Sequence, residues 1–184
     1  MKTVFLDTEG LDDLVLRDLE NECNPCKMFS STAPEKTMER IKEAELIILN
    51  KVKISREHLE NAPSLKLICV VATGTDIIDL QAATGQGITI CNCQAYGTDS
   101  VAQHVFTSML ALATSLLPYH NDVQRGEWQK ARQFCLLNHP IIELKNKTLG
   151  IVGYGSNGRR VAEIAKTFGM KVLISRRPGT TEGE

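Results

Sequence analysis

The first 95 positions alternate short apolar runs with stretches whose apolar residues recur at helical spacing. Thr3–Leu6 reads as a strand, Leu11–Glu20 as a helix and Lys27–Phe29 as a further short strand. Pro34–Glu43 has a helical pattern, with Pro34 in the first turn, where a missing N–H breaks no hydrogen bond. Leu46–Leu49 is four apolar residues in a row, a short helix follows around Arg56–Asn61, and Leu65–Val71 is again mostly apolar. Ile77–Thr84 reads as a helix and Ile88–Cys91 as a last short strand. Strands that are apolar at successive positions are buried on both faces, which predicts a parallel sheet between helices. The βαβα order predicts an α/β domain.

A second pattern begins near Asp99. No Lys, Arg, Asp or Glu occurs from Ser100 to Asn121, and Val101–Leu117 is rich in Val, Phe, Met, Leu and Ala. The run is shorter than the ~20 apolar residues of a membrane span. It also carries Gln103, His104, Thr107, Ser108, Thr114 and Ser115. A helix buried on most of its faces is expected instead. Ser100 with Gln103 is expected to cap its start, and Pro118 to mark its end. A polar stretch, Asn121–Gln133, holds the single tryptophan, Trp128. Then come a strand (Leu149–Val152), a glycine cluster, a helix near Asn157–Phe168 and a strand (Lys171–Ile174). Two domains are expected, 1–98 and 99–184.

Composition narrows the function classes. Of 184 residues, 42% are apolar and 23% charged, the ordinary usage of globular chains. Twenty-one Lys and Arg oppose 22 Asp and Glu, so the net charge is −1. Such a chain has no global field to draw in nucleic acid or an anionic membrane, and neither partner is expected. The apolar run in Met1–Asp7 is too short for a signal peptide, so a cytoplasmic location is expected. Six cysteines are then expected as reduced thiols. Cys23/Cys26 and Cys91/Cys93 are closely spaced, but C-x-C is not the usual complement of C-x-x-C in a zinc site. Soft filler residues in or near strands are expected, and no metal site.

Gly153-Tyr154-Gly155-Ser156-Asn157-Gly158 is G-x-G-x-x-G, directly after an apolar strand and opening a helix. That context turns a weak pattern into a dinucleotide fingerprint. Gly153 permits a tight turn, Gly155 lets the backbone approach a pyrophosphate, and Gly158 lets helix and strand pack closely. The helix start then supplies free N–H groups and the positive end of the dipole. The alternative is a glycine turn without a ligand. NAD sites usually end the next strand in Asp or Glu; this chain has Ser175-Arg176-Arg177. Guanidinium groups suit a 2′-phosphate, so NADP is expected in preference to NAD, unless both arginines are merely solvated.

Three stretches together resemble the D-isomer-specific 2-hydroxyacid dehydrogenases: Ala72-Thr73-Gly74-Thr75-Asp76 with Ile77–Leu80, Tyr96–His104, and Lys147–Gly155 continuing to Phe168–Leu173. Gly126-Glu127-Trp128 and Phe134-Cys135 through His139-Pro140 are most similar to the glycerate dehydrogenase (hydroxypyruvate reductase) branch. The resemblance implies a flavodoxin-like parallel-sheet substrate domain followed by an incomplete Rossmann NAD(P)-binding domain, with the active site between two lobes. It implies that backbone N–H groups of the Thr73-Gly74 loop bind the substrate carboxylate and that Tyr96 faces the substrate. Amides at Gly155, Ser156 and Asn157 would meet the pyrophosphate; Asn157 stands where the family usually has Ile.

The family moves a hydride between the nicotinamide C4 and C2 of a small 2-oxo or 2-hydroxy acid such as hydroxypyruvate or glycerate. An Arg orients the substrate, a His moves the hydroxyl proton and a Glu tunes that His. Those three lie beyond the second strand of the cofactor domain, past Glu184. None of His58, His104, His120 or His139 is expected to replace the His, so no catalytic residue is expected in this chain. Of a sheet ordered 3-2-1-4-5-6, only strands 1 and 2 are present, which leaves an apolar edge open to strand exchange. The chain is therefore expected to be the amino-terminal portion of a dehydrogenase. Two alternatives remain: a non-catalytic nucleotide-sensing or partner-binding protein, and a short pseudoenzyme pairing with an intact subunit. Ser100–Leu117 suits a dimer contact, and a homodimer is expected.

Overall fold

The computed structural model describes residues 1–11, 13–23 and 25–175. It forms two compact units, Met1–Gln94 and Ala95–Glu184.

The first unit is a five-stranded sheet: β1 (Thr3–Phe5), β2 (Cys26–Met28), β3 (Leu46–Leu49), β4 (Leu67–Val70) and β5 (Thr89–Asn92). The order is β2-β1-β3-β4-β5 with every pair parallel, which is the flavodoxin-like arrangement. Parallel neighbours need crossovers, and these are α1 (Asp13–Glu22), α2 (Pro34–Ile41), α3 (Arg56–Glu60) and α4 (Leu80–Gly85). The right-handed rule sends a crossover to opposite faces when the next strand lies to the left or the right. From β1 to β2 the chain steps one way, and from β2 onward the other. Leu16 and Leu19 of α1 accordingly pack with Phe5, Leu46 and Ile48. Ile41, Leu59, Ala82 and Ala83 of the other helices cover Val4, Ile47, Leu49, Ile68 and Val70.

The expected helix at Ile77–Thr84 begins later. Ile77 and Ile78 serve the backbone of Ile54: Ile54 N donates to Ile77 O at 2.8 Å and Asp79 N to Ile54 O at 3.0 Å. Asp79 then caps α4, its Oδ1 accepting from Ala82 N at 2.8 Å.

The second unit holds α5 (Thr98–Ala113), α6 (Leu116–Gln124), α7 (Glu127–Lys130), β6 (Thr148–Val152), α8 (Ser156–Thr167) and β7 (Lys171–Ser175). β6 and β7 pair in parallel, Val152 opposite Ser175. Ala102 and Phe106 of α5 meet Ile151 and the α8 residues Val161, Ala162 and Ala165. Phe106 stacks on Phe168 with centroids 5.4 Å apart. Arg160 Nε donates to Asp99 Oδ1 at 2.7 Å, tying α8 to the first turn of α5. The other side of this two-stranded sheet is bare: Val152 is 89% exposed and Leu173 63%.

Three expectations about the long apolar helix are corrected. Gly97, not Ser100, is the N-cap of α5; Ser100 lies within the helix and no side chain caps it. The helix stops at Ala113 rather than Pro118, because a proline ring clashes with the carbonyl four residues earlier, here Thr114. Thr114 and Ser115 form the break, Ser115 is left-handed (φ 49°), and Pro118 sits harmlessly in the first turn of α6. The apolar run is also buried on one face only: Val101 and Leu112 of α5 and Leu116 and Leu117 of α6 are exposed. α5 and α6 meet at a 61° bend, and no single described helix is long and apolar enough to cross a membrane.

The connection from α7 to β6 has no regular structure, so side chains hold it. Asp122, the single charged residue buried among those described, accepts hydrogen bonds from Arg125, from Asn138 Nδ2 (3.2 Å) and from His139 Nε2 (2.9 Å). Tyr119 Oη donates to His139 O at 2.8 Å, and Ser115 Oγ to Pro140 O at 2.6 Å.

Candidate functional site

The glycine cluster sits where β6 turns into α8. Gly153 has φ +91°, a backbone shape that L side chains resist. Gly155 is the N-cap and offers no side-chain bond to the helix; a Cβ there would meet nothing within 4 Å. The first bond back into this turn runs from Arg159 N to Gly155 O (2.9 Å), so the amides of Ser156, Asn157 and Gly158 have no acceptor among the described residues. Gly158 is a packing residue. A Cβ on it would lie 2.3 Å from Gly153 O and 3.2 Å from Ile151 Cγ2. Arg159, unremarked in the sequence pattern, reaches back so that its Nε donates to Tyr154 O at 3.2 Å, placing a cation beside the open amides. Ser175 ends β7 opposite Val152, at the same end of the sheet as the turn. Arg176 and Arg177 lie outside the described residues.

The second candidate element is the loop after β4 in the first unit. Thr73 and Gly74 are exposed, and among the described residues no hydrogen bond occupies the amides of Thr73, Gly74 or Thr75. A Cβ on Gly74 would fall 2.9 Å from Asp76 Oδ1, the end of a side chain that can swing aside. β5 holds this loop in two places. Asn92 Nδ2 donates to Thr73 O at 2.7 Å, and Cys93 N donates to Ala72 O at 3.1 Å. Nothing in the one-dimensional pattern singled out Asn92. Its bond fixes the Thr73 carbonyl, while the neighbouring amides stay open among the described residues. Asn92→Ala is expected to destabilise the first unit by about 1 kcal/mol, read by thermal unfolding, and to speed hydrogen exchange at Thr73 and Gly74. Tyr96 belongs to the second unit and is 72% exposed.

A depression of about 440 Å3 opens at the carboxyl ends of β1–β3, the switch point of this strand order. Asp7 shapes its floor, its two carboxylate oxygens accepting from Asn50 N at 2.8 Å and Lys51 N at 2.6 Å. Ser31, Thr32, Lys53 and His58 complete the lining. Among the described residues, no group of three or more His, Cys, Asp or Glu is placed to hold a metal ion. All six cysteines are free thiols.

Strand, glycine turn, helix and parallel strand make the first two strands of a Rossmann sheet and the helix between them, and they follow a flavodoxin-like sheet; the pair defines a class of two-unit α/β protein. Comparison with known proteins narrows the class. A model of the D-isomer specific 2-hydroxyacid dehydrogenase catalytic domain matches residues 6–180. Glycerate dehydrogenase of Methylorubrum extorquens is 45% identical over 173 residues, covering 94% of this chain and 54% of that protein. Among solved structures, an acyclic imino acid reductase in complex with NADPH and D-Arg has a TM-score of 0.83 at 26% identity, covering 100% of this chain and 58% of that one. D-lactate dehydrogenase from Aquifex aeolicus, complexed with NAD and lactic acid, has a TM-score of 0.78 at 29% identity, covering 96% and 53%. The chain belongs to the D-isomer specific 2-hydroxyacid dehydrogenase family. It spans about half the length of the curated relatives it matches.

Proposed function

We propose that this chain supplies the dinucleotide-phosphate site and the carboxylate-binding loop of an NAD(P)-dependent oxidoreductase of D-2-hydroxy acids. The observation that carries the reading is the uncapped start of α8: a glycine N-cap without a side chain, in front of three amides with no acceptor. An anion is the natural occupant of such a helix start. The turn fits a pyrophosphate, because no side chain stands over the Gly155 position.

The unit Met1–Gln94, four residues shorter than the boundary expected from the sequence, is the substrate domain, and Ala95–Glu184 is the first part of the nucleotide domain. The bound nicotinamide supplies the hydride chemistry at C2 of a small acid such as hydroxypyruvate or glycerate. Gly153, Gly155, Ser156, Asn157 and Gly158 hold the pyrophosphate through backbone. Thr73 and Gly74 orient the acid by donating amide N–H groups to its carboxylate, and Tyr96 faces the acid. None of these groups moves a proton, and no residue of this chain is assigned that role in the reaction. NADP is preferred over NAD through Ser175, Arg176 and Arg177, with the guanidinium groups on the 2′-phosphate. The protein works in the cytoplasm as a homodimer.

Calorimetric titration of the 184-residue chain tests the reading. NADPH is expected to bind more tightly than NADH, without turnover of hydroxypyruvate. Arg176→Ala with Arg177→Ala is expected to weaken NADPH binding about tenfold or more while leaving NADH unchanged, the loss of a charge-assisted contact. Tighter binding of NADH by the unaltered chain contradicts the cofactor preference, and turnover contradicts the account of the proton.

A further inference from the structure

Two cysteines lie on one face of the first sheet, and a third follows just past the strand end. Cys69 of β4 and Cys91 of β5 are register partners, so their side chains project from the same face of adjacent parallel strands. Cys93 lies one residue beyond the end of β5, outside the register. Cys69 packs half-buried against the cluster of Phe5, Leu46 and Ile48, whereas Cys91 and Cys93 are exposed. Neighbouring strands stand about 4.8 Å apart, within the ~4.4–6.8 Å that a disulfide spans between Cα atoms. Cys91 and Cys93 are not register partners, since β5 ends at Asn92.

From this placement we infer that Cys69 and Cys91 form a redox-active dithiol, Cys91 the attacking thiol and Cys69 the resolving one, that exchanges with small disulfides such as glutathione disulfide. The Cys91 thiolate attacks one sulfur of the small disulfide, forming a mixed disulfide and releasing one small thiolate. The Cys69 thiolate then attacks the Cys91 sulfur, forming the Cys69–Cys91 bond and releasing the second. Two protein thiols are oxidised and one small disulfide is reduced to two thiols, two protons passing to the released thiolates. Exposure sets the order of attack. Burial, and then the neighbouring Cys91 thiol, push the Cys69 thiol above its ordinary range, which suits a group that acts second.

The pair has a structural consequence. Asn92 and Cys93, which follow Cys91 directly, hold the Thr73 and Ala72 carbonyls. Drawing Cys91 toward Cys69 shifts the strand end that anchors the Ala72–Thr75 loop. The chemistry of the pair does not depend on the dehydrogenase reading, and its test needs no turnover.

The full 184-residue chain is incubated in glutathione mixtures of rising oxidised fraction, quenched by alkylation and cleaved on the amino side of aspartate. Asp76 and Asp79 lie between Cys69 and Cys91, so the two thiols fall on different peptides. The expected product is a linked pair of peptides joined through Cys69 and Cys91, with Cys91 modified at least tenfold faster than Cys69. Cys69→Ser is expected to accumulate glutathione on Cys91, Cys91→Ser to form no link, and Cys93→Ser to link as the unaltered chain does. In the unaltered chain, which needs no substitution to fold, oxidation is expected to speed hydrogen exchange at Thr73 and Gly74. A bond between Cys91 and Cys93, a Cys91 that reacts no faster than half-buried Cys135, or the absence of any link overturns the assignment.

Discussion

Gly158→Ala is expected to destabilise the second unit by about 1–3 kcal/mol, the usual cost of forcing a methyl group into filled space. It is also expected to abolish measurable dinucleotide binding. The added Cβ has nowhere to go: Gly153 O would lie 2.3 Å away and Ile151 Cγ2 3.2 Å away, one backbone and the other the buried anchor of β6. Relief requires α8 to lift from β6, and that moves the amides of Ser156 and Asn157. Gly155→Ala is the contrasting substitution. Its Cβ meets nothing within 4 Å, so stability is expected to hold within ~0.5 kcal/mol, the range of surface changes. Binding is expected to fall, because the methyl group stands where the phosphates would approach. Thermal unfolding and calorimetric titration of both variants separate the packing role of one glycine from the access role of the other.

Asp122→Asn is expected to lower the unfolding midpoint of the second unit by about 5 °C at pH 7, since a neutral amide cannot replace a carboxylate accepting three donors. The hydrogen bonds from Asn138, and then from Arg125 and His139, hold the Asp122 carboxyl below the ordinary carboxylate range. A group whose folded pKa is depressed stabilises the fold above its unfolded value, ~3.9, and loses that contribution as pH falls through the folded value. The gap between the parent chain and Asp122→Asn is therefore expected to stay constant from about pH 7 to pH 5 and to close below about pH 4. A gap that widened in acid would contradict the ion-paired reading of this cluster. Limited proteolysis offers a second view: cleavage between Ala131 and Pro140 is expected to quicken in the variant, because Asp122 anchors both Asn138 and His139.

The elements that were evident without coordinates share one property: their signal is local. Leu46–Leu49 is apolar at every position because both faces of a central parallel strand are covered, and it is buried throughout. The glycine spacing and the strand before it placed the β6–α8 turn to within a residue. The misread positions are those where a distant or competing contact decides. Ser100 and Gln103 have the residue types of a capping box, but Gly97 opens the helix three residues earlier and leaves both inside it. Pro118 has the residue type of a terminator, but its ring acts on the carbonyl of Thr114, one turn upstream. Asn92 and Asp122 act through partners 19 and 17 residues away, Thr73 and His139, and no spacing rule reports those bonds. The exposed faces of α5 and α6 depend on what covers them in three dimensions, which an uncharged run of residues does not reveal.

The central claim is that the open amides at the start of α8 receive the phosphates of a nicotinamide dinucleotide. Amide-resolved hydrogen exchange of the 184-residue chain, with and without NADPH, tests it directly. Protection is expected at Ser156, Asn157 and Gly158, with the amides of β3 unaffected. Binding of NADPH that leaves those three amides unprotected, or protection confined to the first unit, would contradict it.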